Sequence, residues 1–278
     1  MMNKQTKKII LKTKKQVFGD MLGNNASLFH GEGFEFAELR EYIYGDDIRK
    51  IDWKTTAKLG KPYVKVYREE RELNVVISTM LNGSTFFGTS RQKSDYMAEL
   101  VAILGFSAVR NSDLFTYLNY ADRLYHHSKP SKKLFAVSKE TEYAASFEPL
   151  GKKGDFTGWM DTLYNRVRKK SLLFLISDCV GDIDLRLLAK KHDLFVLMVR
   201  DRFEENPSEL GYLRLVDTEN GNSYEGDINS GTIGAYQKAL RENDQKLYRQ
   251  FKEHGIRHVK LYTDEDPMIK IMQQMRNR

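Results

Sequence analysis

The segment that most constrains the fold is an uninterrupted apolar run, Leu172-Leu173-Phe174-Leu175-Ile176. No polar residues alternate with the apolar ones, so both faces of the predicted strand must be covered. Two similar runs, Val75-Val76-Ile77 and Leu194 to Val199, lie in the same part of the chain. Strands buried on both faces are typical of parallel sheets that lie between layers of helices.

Helical patterns separate these strands. Asp95 to Val109 places apolar residues at helical spacing, and Ile233 to His254 predicts a long helix rich in Lys, Arg and Glu. The dipeptide Asn220-Gly221 predicts a hairpin turn between Tyr212 to Val216 and Ser223-Tyr224, at an edge of the sheet. Strands that alternate with helices predict an α/β domain.

Two parts of the chain differ in pattern. Residues 1–70 mix charges of both signs with glycine turns and one predicted strand, Tyr63 to Tyr67, whereas residues 71–278 alternate strands and helices. No Pro- or Ser-rich linker separates the two parts. We therefore expect an N-terminal extension over residues 1–70 and an α/β domain over residues 71–278.

The net charge of +7 allows contact with anionic partners, but the 45 basic residues are scattered among 38 acidic ones. The main basic run, Lys4 to Lys15, is interpreted as a solvated tail, with nucleic-acid or anionic-lipid contact as the alternative. The single cysteine, Cys179, rules out a disulfide within the chain. No apolar run approaches the about 18 residues of a membrane span. We expect a cytoplasmic protein without a transmembrane segment.

Oxygen-bearing side chains lie close to the ends of the predicted strands. Asn82 and Ser84 follow the first apolar strand, Asp178 follows Ile176, and Thr157 precedes a helix. Because the carboxyl ends of parallel strands share one edge of a sheet, these side chains are expected to converge and are suited to a hard cation. Ordinary capping of loops and helices explains the same residues and is favoured by their spacing alone.

Other chemistry has less support. The chain lacks a phosphate-binding loop, so we do not expect it to hydrolyse ATP. His126-His127 are predicted in a loop and have no partner at zinc-ligand spacing. Cys179 stands beside Asp178, whose charge disfavours a thiolate, so a buried thiol is expected. The acids Asp46-Asp47 are candidates for general acid–base chemistry, but turn chemistry in Gly45-Asp46-Asp47 is the simpler explanation and is favoured.

A second informative segment, Glu35 to Lys54, interleaves charges of both signs with aromatic and aliphatic residues. We predict that the ring of Trp53 is buried against the α/β domain, with Arg49 and Asp52 in hydrogen-bonded ion pairs near it. The alternative is that Trp53 is an exposed binding anchor, since Trp, Tyr and Arg dominate interface energies.

This segment resembles the signature of the bacterial domain of unknown function 58 family. The matching positions are Glu35-Phe36, Leu39 to Tyr42, Gly45 to Asp47, Arg49, Ile51 to Lys54, Ala57, Gly60, Val64, Lys65, Tyr67 and Glu69 to Arg71. Leu172 to Asp178 followed by Asp217 to Gly221 also looks like that family, and the resemblance covers roughly residues 20–278.

The resemblance implies a von Willebrand factor A-like fold, a mainly parallel sheet flanked by helices, here with an N-terminal β-containing extension. It also implies a MoxR-type AAA+ ATPase as partner and an adaptor role on an unknown protein client, without enzymatic activity. The signature block, which we treat as a partner surface, comprises Glu38, Arg40, Glu41, Tyr42, Gly45, Asp46, Asp47, Arg49, Asp52, Trp53 and Lys54.

The metal site of that fold normally uses Asp-x-Ser-x-Ser, a Thr and a second Asp. Here the matching positions hold Met80, Asn82, Ser84, Thr157 and Asp178. Because Met80 replaces a carboxylate, the resemblance implies a degenerate site with weak Mg²⁺ binding at most and no other cofactor. The rim of this site is expected to bind a partner through hydrophobic residues, namely Met80, Leu81, Phe86 and Phe87.

Two functions of different classes therefore remain. The leading hypothesis is an adaptor for a MoxR-type ATPase, with no specific nucleic-acid binding. The alternative is a metal-dependent hydrolase that uses Asp46, Asp47 and Asp178. Whether the chain is an enzyme is left open by the sequence.

Overall fold

The computed structural model describes residues 4–19, 34–69 and 72–276, and the chain divides into two compact units. One unit comprises residues 1–28 together with 74–278, and the other comprises residues 29–73. Residues 4–19 thus group with the α/β unit, whereas the sequence placed them in the extension. Of the positions that match the family in sequence, Glu70 and Arg71 lie outside the described residues.

The helices and strands follow one another in the order that the sequence patterns predict, with several additions. In chain order they are α1 (Lys4–Gly19), β1 (Phe34–Glu41), a 3-10 turn (Ile48–Lys50), α2 (Trp53–Leu59), β2 (Tyr63–Glu69), β3 (Asn74–Met80), a second 3-10 turn (Gly83–Phe86), α3 (Lys93–Arg110), β4 (Leu114–Tyr120), β5 (Leu124–His127), α4 (Leu134–Ser146), α5 (Phe156–Arg166), β6 (Leu172–Ser177), α6 (Arg186–Lys191), β7 (Asp193–Arg200), α7 (Arg202–Glu205), β8 (Gly211–Val216), β9 (Ser223–Ile228), α8 (Ser230–Glu253), β10 (Arg257–Tyr262) and α9 (Pro267–Arg276).

The main sheet has the strand order β10-β7-β6-β3-β4-β5, and every neighbouring pair is parallel except β4 with β5. Strand β6 lies between β3 and β7, and each of its residues is buried. The prediction of a central strand at Leu172 to Ile176 is therefore confirmed. The predicted fold class is also confirmed as an α/β arrangement with a mainly parallel sheet flanked by helices and a β-containing N-terminal extension.

Two local predictions differ from the structure. The hairpin of β8 and β9 forms as predicted, but it is a separate two-stranded sheet rather than an edge of the main one. His126 and His127 lie in edge strand β5 rather than in a loop, because β5 folds back antiparallel on β4. The Nε2 of His126 is hydrogen-bonded to the carboxylate of Glu140 in α4.

The interpretation of Lys4 to Lys15 as a solvated tail is wrong, since α1 packs on the α/β unit. Its buried face carries Ile10 and Val17, spaced seven residues apart, with two threonines. On the same helix, the ammonium of Lys12 lies 2.7 Å from the carboxylate of Glu99 in α3. Lysines on an amphipathic helix can bury their aliphatic stems while their charges stay at the surface, and one face of the helix then packs on the domain. Composition alone does not reveal this packing.

The register of the parallel strands aligns their carboxyl ends. Thr79 of β3 is paired with Ile176 of β6, and Ser177 of β6 is paired with Met198 of β7. The segments that follow β3, β6 and β7 therefore emerge at one edge of the sheet. Within the described ranges, no helix is long and apolar enough to cross a membrane.

Candidate functional site

Two of the predicted site residues meet at the carboxyl edge of the sheet. The hydroxyl of Ser84, in the 3-10 turn after β3, donates to Oδ2 of Asp178, which follows β6, over 2.5 Å. The same hydroxyl lies 3.1 Å from the amide oxygen of Asn82. Asp178 is 0% exposed. The convergence of Asn82, Ser84 and Asp178 is thus as predicted.

A lysine that the sequence analysis did not single out completes this group. Nζ of Lys93, the first residue of α3, lies 3.1 Å from Oδ2 of Asp178 and 2.5 Å from Oε1 of Glu204 in α7. The side chain of Lys93 is 0% exposed. Burial opposes its charge, but Asp178 and Glu204 outweigh that effect and raise the pKa of the ammonium. We call Ser84, Lys93, Asp178 and Glu204 the strand-end cluster.

The carboxylate of Asp178 is held ionised by its neighbours. Burial alone favours the protonated acid, but the charges of Lys93 and Arg200 and the hydroxyl of Ser84 outweigh it, so the pKa of Asp178 is lowered. Arg200, at the end of β7, is itself buried and donates to Oδ1 of Asp244 in α8 over 2.7 Å. The edge of the sheet is therefore a set of ion pairs rather than a set of free acids.

Two predicted positions do not join the cluster. Thr157 is exposed in the first turn of α5, and the described hydrogen bonds that connect Asn82, Ser84 and Asp178 do not include it. Met80 and Leu81 are buried in the core, so the prediction that they form a partner surface is wrong. Met80 is the last residue of the buried strand β3, and Leu81 directly follows it.

A divalent cation does not fit the residues that are present. An ammonium group already occupies the space between the two carboxylates, and Met80 supplies a buried thioether where the resemblance in sequence implied an acid. Within the described residues there is no group of three or more His, Cys, Asp or Glu side chains placed to hold a metal ion. The chemistry of Asp178 is therefore that of an ion-paired carboxylate.

The turn between β8 and β9 closes one side of this edge. The amide of Asn82 donates to the carboxylate of Glu219, and Gly151 N donates to Thr218 O over 2.9 Å. Gly83 lies directly beneath the same turn, since a Cβ at that position would lie 2.2 Å from the carbonyl oxygen of Thr218. The segment Asp217 to Gly221, which resembled the family in sequence, thus supports the loop that carries Asn82 and Ser84.

An apolar groove lies next to the cluster and shares Glu204 with it. Its volume is about 380 Å³. The side chains that line it come from the loop after β3, from α7, from the hairpin and from α8, and they are Phe87, Phe203, Glu204, Pro207, Leu215, Ile228, Thr232, Ile233 and Tyr236. Phe87, Leu215 and Tyr236 are exposed. Phe86, also predicted as part of the rim, is exposed but does not line this groove.

The signature block forms the second unit, and its charges are paired locally. The guanidinium of Arg40, in β1, contacts both carboxylate oxygens of Asp46 at 2.8 and 2.6 Å, and Asp46 also accepts from the backbone N of Ile43. The hydrogen bond from Arg40 is the main reason that the pKa of Asp46 is lowered. Gly45 has φ of +106°, which explains why a glycine precedes the two acids.

The other two aspartates of the block, Asp47 and Asp52, start helical turns. Asp47 caps the 3-10 turn by accepting from Arg49 N and is paired with Arg49 Nε over 3.0 Å. Asp52 caps α2 by accepting from Thr55 N and lies 3.1 Å from Nζ of Lys65. The predicted ion pairs of Arg49 and Asp52 are confirmed, and the pKa values of Asp47 and Asp52 are lowered by these hydrogen bonds.

Trp53 contradicts the prediction of a buried ring, since its side chain is 68% exposed. Tyr44, Ile43 and Ile48 are also exposed, Tyr44 to 99%. Lys54 and Glu41 are exposed, with Glu41 3.2 Å from Lys61, while Glu38 lies in β1 opposite Val66. The capped turns fix the backbone of the signature block, so the block is ordered without burial of Trp53. The block is therefore an apolar surface set among paired charges.

The model of the family described as protein of unknown function DUF58 matches residues 38–246, which is 209 of the 278 residues. The chain belongs to this family. The matched range begins in the signature block and contains the whole strand-end cluster. The resemblance inferred from the sequence is thus confirmed for the family, and the ATPase partner that it implied remains a proposal.

Relatives described as uncharacterized proteins match nearly the whole chain. Proteins of Mycobacterium bovis and Mycobacterium tuberculosis are each 26% identical over 275 residues, which cover 96% of this chain and 87% of theirs. Among solved structures, the conserved hypothetical protein BatB from Bacteroides thetaiotaomicron has a TM-score of 0.46 at 13% identity, over 74% of this chain and 100% of that one. An aerotolerance-related membrane protein from Bacteroides fragilis has the same TM-score and coverage at 9% identity.

Lys93 and Glu204 are the functional residues that sequence reasoning missed. Lys93 stands in Gln92-Lys93-Ser94 just before an apolar helical pattern, where a lysine is normally solvated. Glu204 lies within the segment after β7 that the strand pattern placed at the carboxyl edge. The sequence therefore indicated only that the strand ends converge. The pairing of Lys93 with Asp178 and Glu204 depends on the fold.

Proposed function

We propose that this chain is a non-enzymatic adaptor that works with a MoxR-type AAA+ ATPase on a protein client, with a metal site that is degenerate. The observation that carries the proposal is the strand-end cluster. Its two carboxylates are committed to Lys93, so the position where this fold would hold a reactive metal is filled by a side chain. The family resemblance supplies the kind of partner.

The exposed apolar surfaces support a binding role. Trp53, Tyr44, Ile43 and Ile48 expose apolar area in the signature block, and the groove beside Glu204 exposes more in the α/β unit. Large exposed apolar patches mark sites of protein–protein interaction or ligand binding. Trp and Tyr framed by charged residues are the composition that dominates binding energy at protein interfaces.

The hydrolase alternative gains no support from its three acids. Asp46 is paired with Arg40, Asp47 with Arg49, and Asp178 with Lys93. Each pairing lowers the pKa of the carboxyl and so moves it away from neutral pH, where a general acid or base is most effective. Cys179, beside Asp178, is buried, and burial raises the pKa of its thiol to about 12, so it is not a nucleophile.

Substitution of Trp53 tests the adaptor role. We expect Trp53→Ala to weaken binding of the full chain to a MoxR-type ATPase of the same organism by about 2 kcal/mol, or about 30-fold in Kd. Its free energy of unfolding should change by no more than about 0.5 kcal/mol, because the ring is exposed. Isothermal titration calorimetry with the ATPase in its nucleotide-bound form gives the first quantity, and urea denaturation gives the second.

Phe135→Ala is the matched control. Phe135 is an aromatic residue of α4 that is 78% exposed and lies outside the signature block. It should leave the Kd for the ATPase within about twofold. Absence of any binding by the unaltered chain, or equal losses for both variants, would contradict the proposal.

A further inference from the structure

Lys93 stands where helix electrostatics disfavour it. It is the first residue of α3, and a cation in the first turn of a helix is repelled by the positive end of the helix dipole. Its side chain is also completely buried, which is rare for lysine unless it is paired. The carboxylates of Asp178 and Glu204 therefore have to stabilise its position. A lysine kept in place against these two costs points to a requirement for positive charge at that point.

The atoms around this ammonium are those that a hard cation prefers. Two carboxylate oxygens lie within 3.1 Å of Nζ, from Asp178 and Glu204. The hydroxyl of Ser84 donates to the same oxygen of Asp178, and it lies 3.1 Å from the amide oxygen of Asn82. Mg²⁺ and Mn²⁺ are bound by carboxylate, carbonyl and hydroxyl oxygens together with water.

The charge balance around this point requires a cation. Without Lys93, Asp178 and Glu204 would be two neighbouring carboxylates at least one of which is fully buried, and such a pair does not stay doubly ionised unless a positive charge joins it. Arg200 is the other buried cation near Asp178, and it is paired with Asp244. Loss of the lysine therefore leaves either a protonated acid or a vacancy suited to a metal ion.

We propose that the ammonium of Lys93 is a tethered substitute for a divalent cation, and that removal of this side chain converts Asp178, Glu204 and Ser84 into a Mn²⁺ or Mg²⁺ site. The inference deepens the degenerate metal site of the proposed function and names the residue that replaces the ion. It also makes the order of this edge independent of divalent cations, because its positive charge is part of the chain.

Mn²⁺ titration of the full chain tests this proposal. Calorimetry should show no saturable binding to the unaltered chain up to about 1 mM Mn²⁺, and binding to Lys93→Ala with a Kd at or below about 100 µM, at least a tenfold gain. The double variant Lys93→Ala with Asp178→Asn should lose that binding again. Lys93→Arg keeps the charge and should not bind Mn²⁺. Lys190→Ala, at an exposed lysine of α6, is the matched control and should also not bind.

Melting curves cover the case in which Lys93→Ala is poorly folded. The variant should melt at a lower temperature than the unaltered chain in EDTA, and 1 mM Mn²⁺ should raise its melting temperature by several degrees, since an ion that binds only the native state stabilises it. Mn²⁺ should not shift the unaltered chain or Lys190→Ala.

Three results would overturn the inference. They are micromolar Mn²⁺ binding by the unaltered chain, binding by Lys93→Ala that survives Asp178→Asn, and a Lys93→Ala variant that Mn²⁺ neither binds nor stabilises. These measurements use no ATPase, so their failure is separate from that of the adaptor proposal. Conversely, loss of the ATPase interaction would leave the Mn²⁺ results unchanged.

Discussion

At the scale of single residues, burial decides how much an ion pair matters in this chain. Lys93 and Asp178 are both fully buried, whereas Arg186 and Asp184, which lie 2.6 Å apart, are both exposed. Exposed pairs contribute little because water and salt screen them. Removal of one partner from a buried pair leaves an uncompensated charge and is strongly destabilising. Similar geometry therefore has very different consequences at the two places.

Asp178→Asn should lower the free energy of unfolding by about 3–5 kcal/mol at pH 7, because it leaves the charge of Lys93 with one carboxylate fewer. The lowered pKa of Asp178 fixes the pH dependence of this difference. A carboxyl with a depressed folded-state pKa stabilises the native state above its unfolded pKa of about 3.9 and loses that contribution as the pH falls through the folded value. The difference between the two proteins should thus be constant from pH 5 to 8 and shrink below about pH 4.

Urea denaturation across this pH range provides the measurement. Asp184→Asn is the control, since the pKa of Asp184 is also lowered, mainly by its hydrogen bond from Arg186. We expect it to cost no more than about 1 kcal/mol, because that pair is exposed. Equal costs for the two substitutions would show that the ion pair of Asp178 does not behave as a buried one.

At the scale of helices and strands, the hairpin that completes the site, β8 and β9, has no fully buried residue. The hairpin of β8 and β9 is a two-stranded sheet, and its exposed residues include Tyr212, Leu215 and Val216. Isolated two-stranded hairpins are marginally stable in water. Here the turn is held by contacts of Thr218 and Glu219 with the loop after β3. The hairpin is therefore stabilised by the edge that it covers.

Gly83→Ala should disrupt this contact. The added methyl would lie 2.2 Å from a backbone oxygen, which cannot move aside as the end of a flexible side chain can. We expect a loss of about 1–3 kcal/mol in the free energy of unfolding and faster amide exchange in residues 217–222. Hydrogen exchange followed by mass spectrometry gives the local effect.

Gly226→Ala provides the comparison for that substitution. Gly226 lies in β9 of the same hairpin, and an added Cβ there meets no heavy atom within 4 Å. It should change stability by no more than about 0.5 kcal/mol and leave exchange in the turn unaltered. If Gly83→Ala were equally harmless, the hairpin would not depend on its contact with the loop.

At the scale of the whole molecule, the chain has two units that differ in how they are held together. The α/β unit has a large apolar core around its sheet, which includes Trp159, Phe174 and Leu197. In the unit of residues 29–73, Val64 is the buried hydrophobic residue among the side chains that are described there, and the pairing of β1 with β2 and capped turns with ion pairs fix the rest. Its order thus rests mainly on local polar contacts, which leaves its apolar side chains exposed.

The two tryptophans of the chain report on the two units separately. Trp159 is 1% exposed, and its Nε1 donates to Ser78 Oγ over 2.8 Å, whereas Trp53 is exposed. In single-tryptophan variants, Trp53→Phe should leave a blue-shifted emission that acrylamide quenches weakly. Trp159→Phe should leave a red-shifted emission that is quenched several-fold more strongly. Acrylamide titration of both variants checks this, and equal quenching constants would contradict the exposure of Trp53.

The sequence by itself determined the α/β class, the central strand Leu172 to Ile176, the family and the convergence of Ser84 with Asp178. Each depends on patterns within a short segment, or on the rule that parallel strands end at one edge. It did not determine whether Trp53 is buried. The charges that alternate around Trp53 led to the prediction of a buried ring, and the ring is exposed. Exposure depends on what packs against a residue, and no property of the flanking residues contains that information.

Only the tertiary structure decided which charge fills the centre of the site. Asp178 and Lys93 are 85 residues apart in the chain, and Glu204 is 111 residues from Lys93. Their contact arises because β6 and β7 end beside the start of α3. The residues that flank a lysine at the start of a helix do not show whether it is solvated or buried. The partners that stabilise a buried lysine come from distant parts of the chain. The sequence indicated only that Met80 stands where the family resemblance implied a carboxylate, and the structure showed that the ammonium of Lys93 lies between the carboxylates of Asp178 and Glu204.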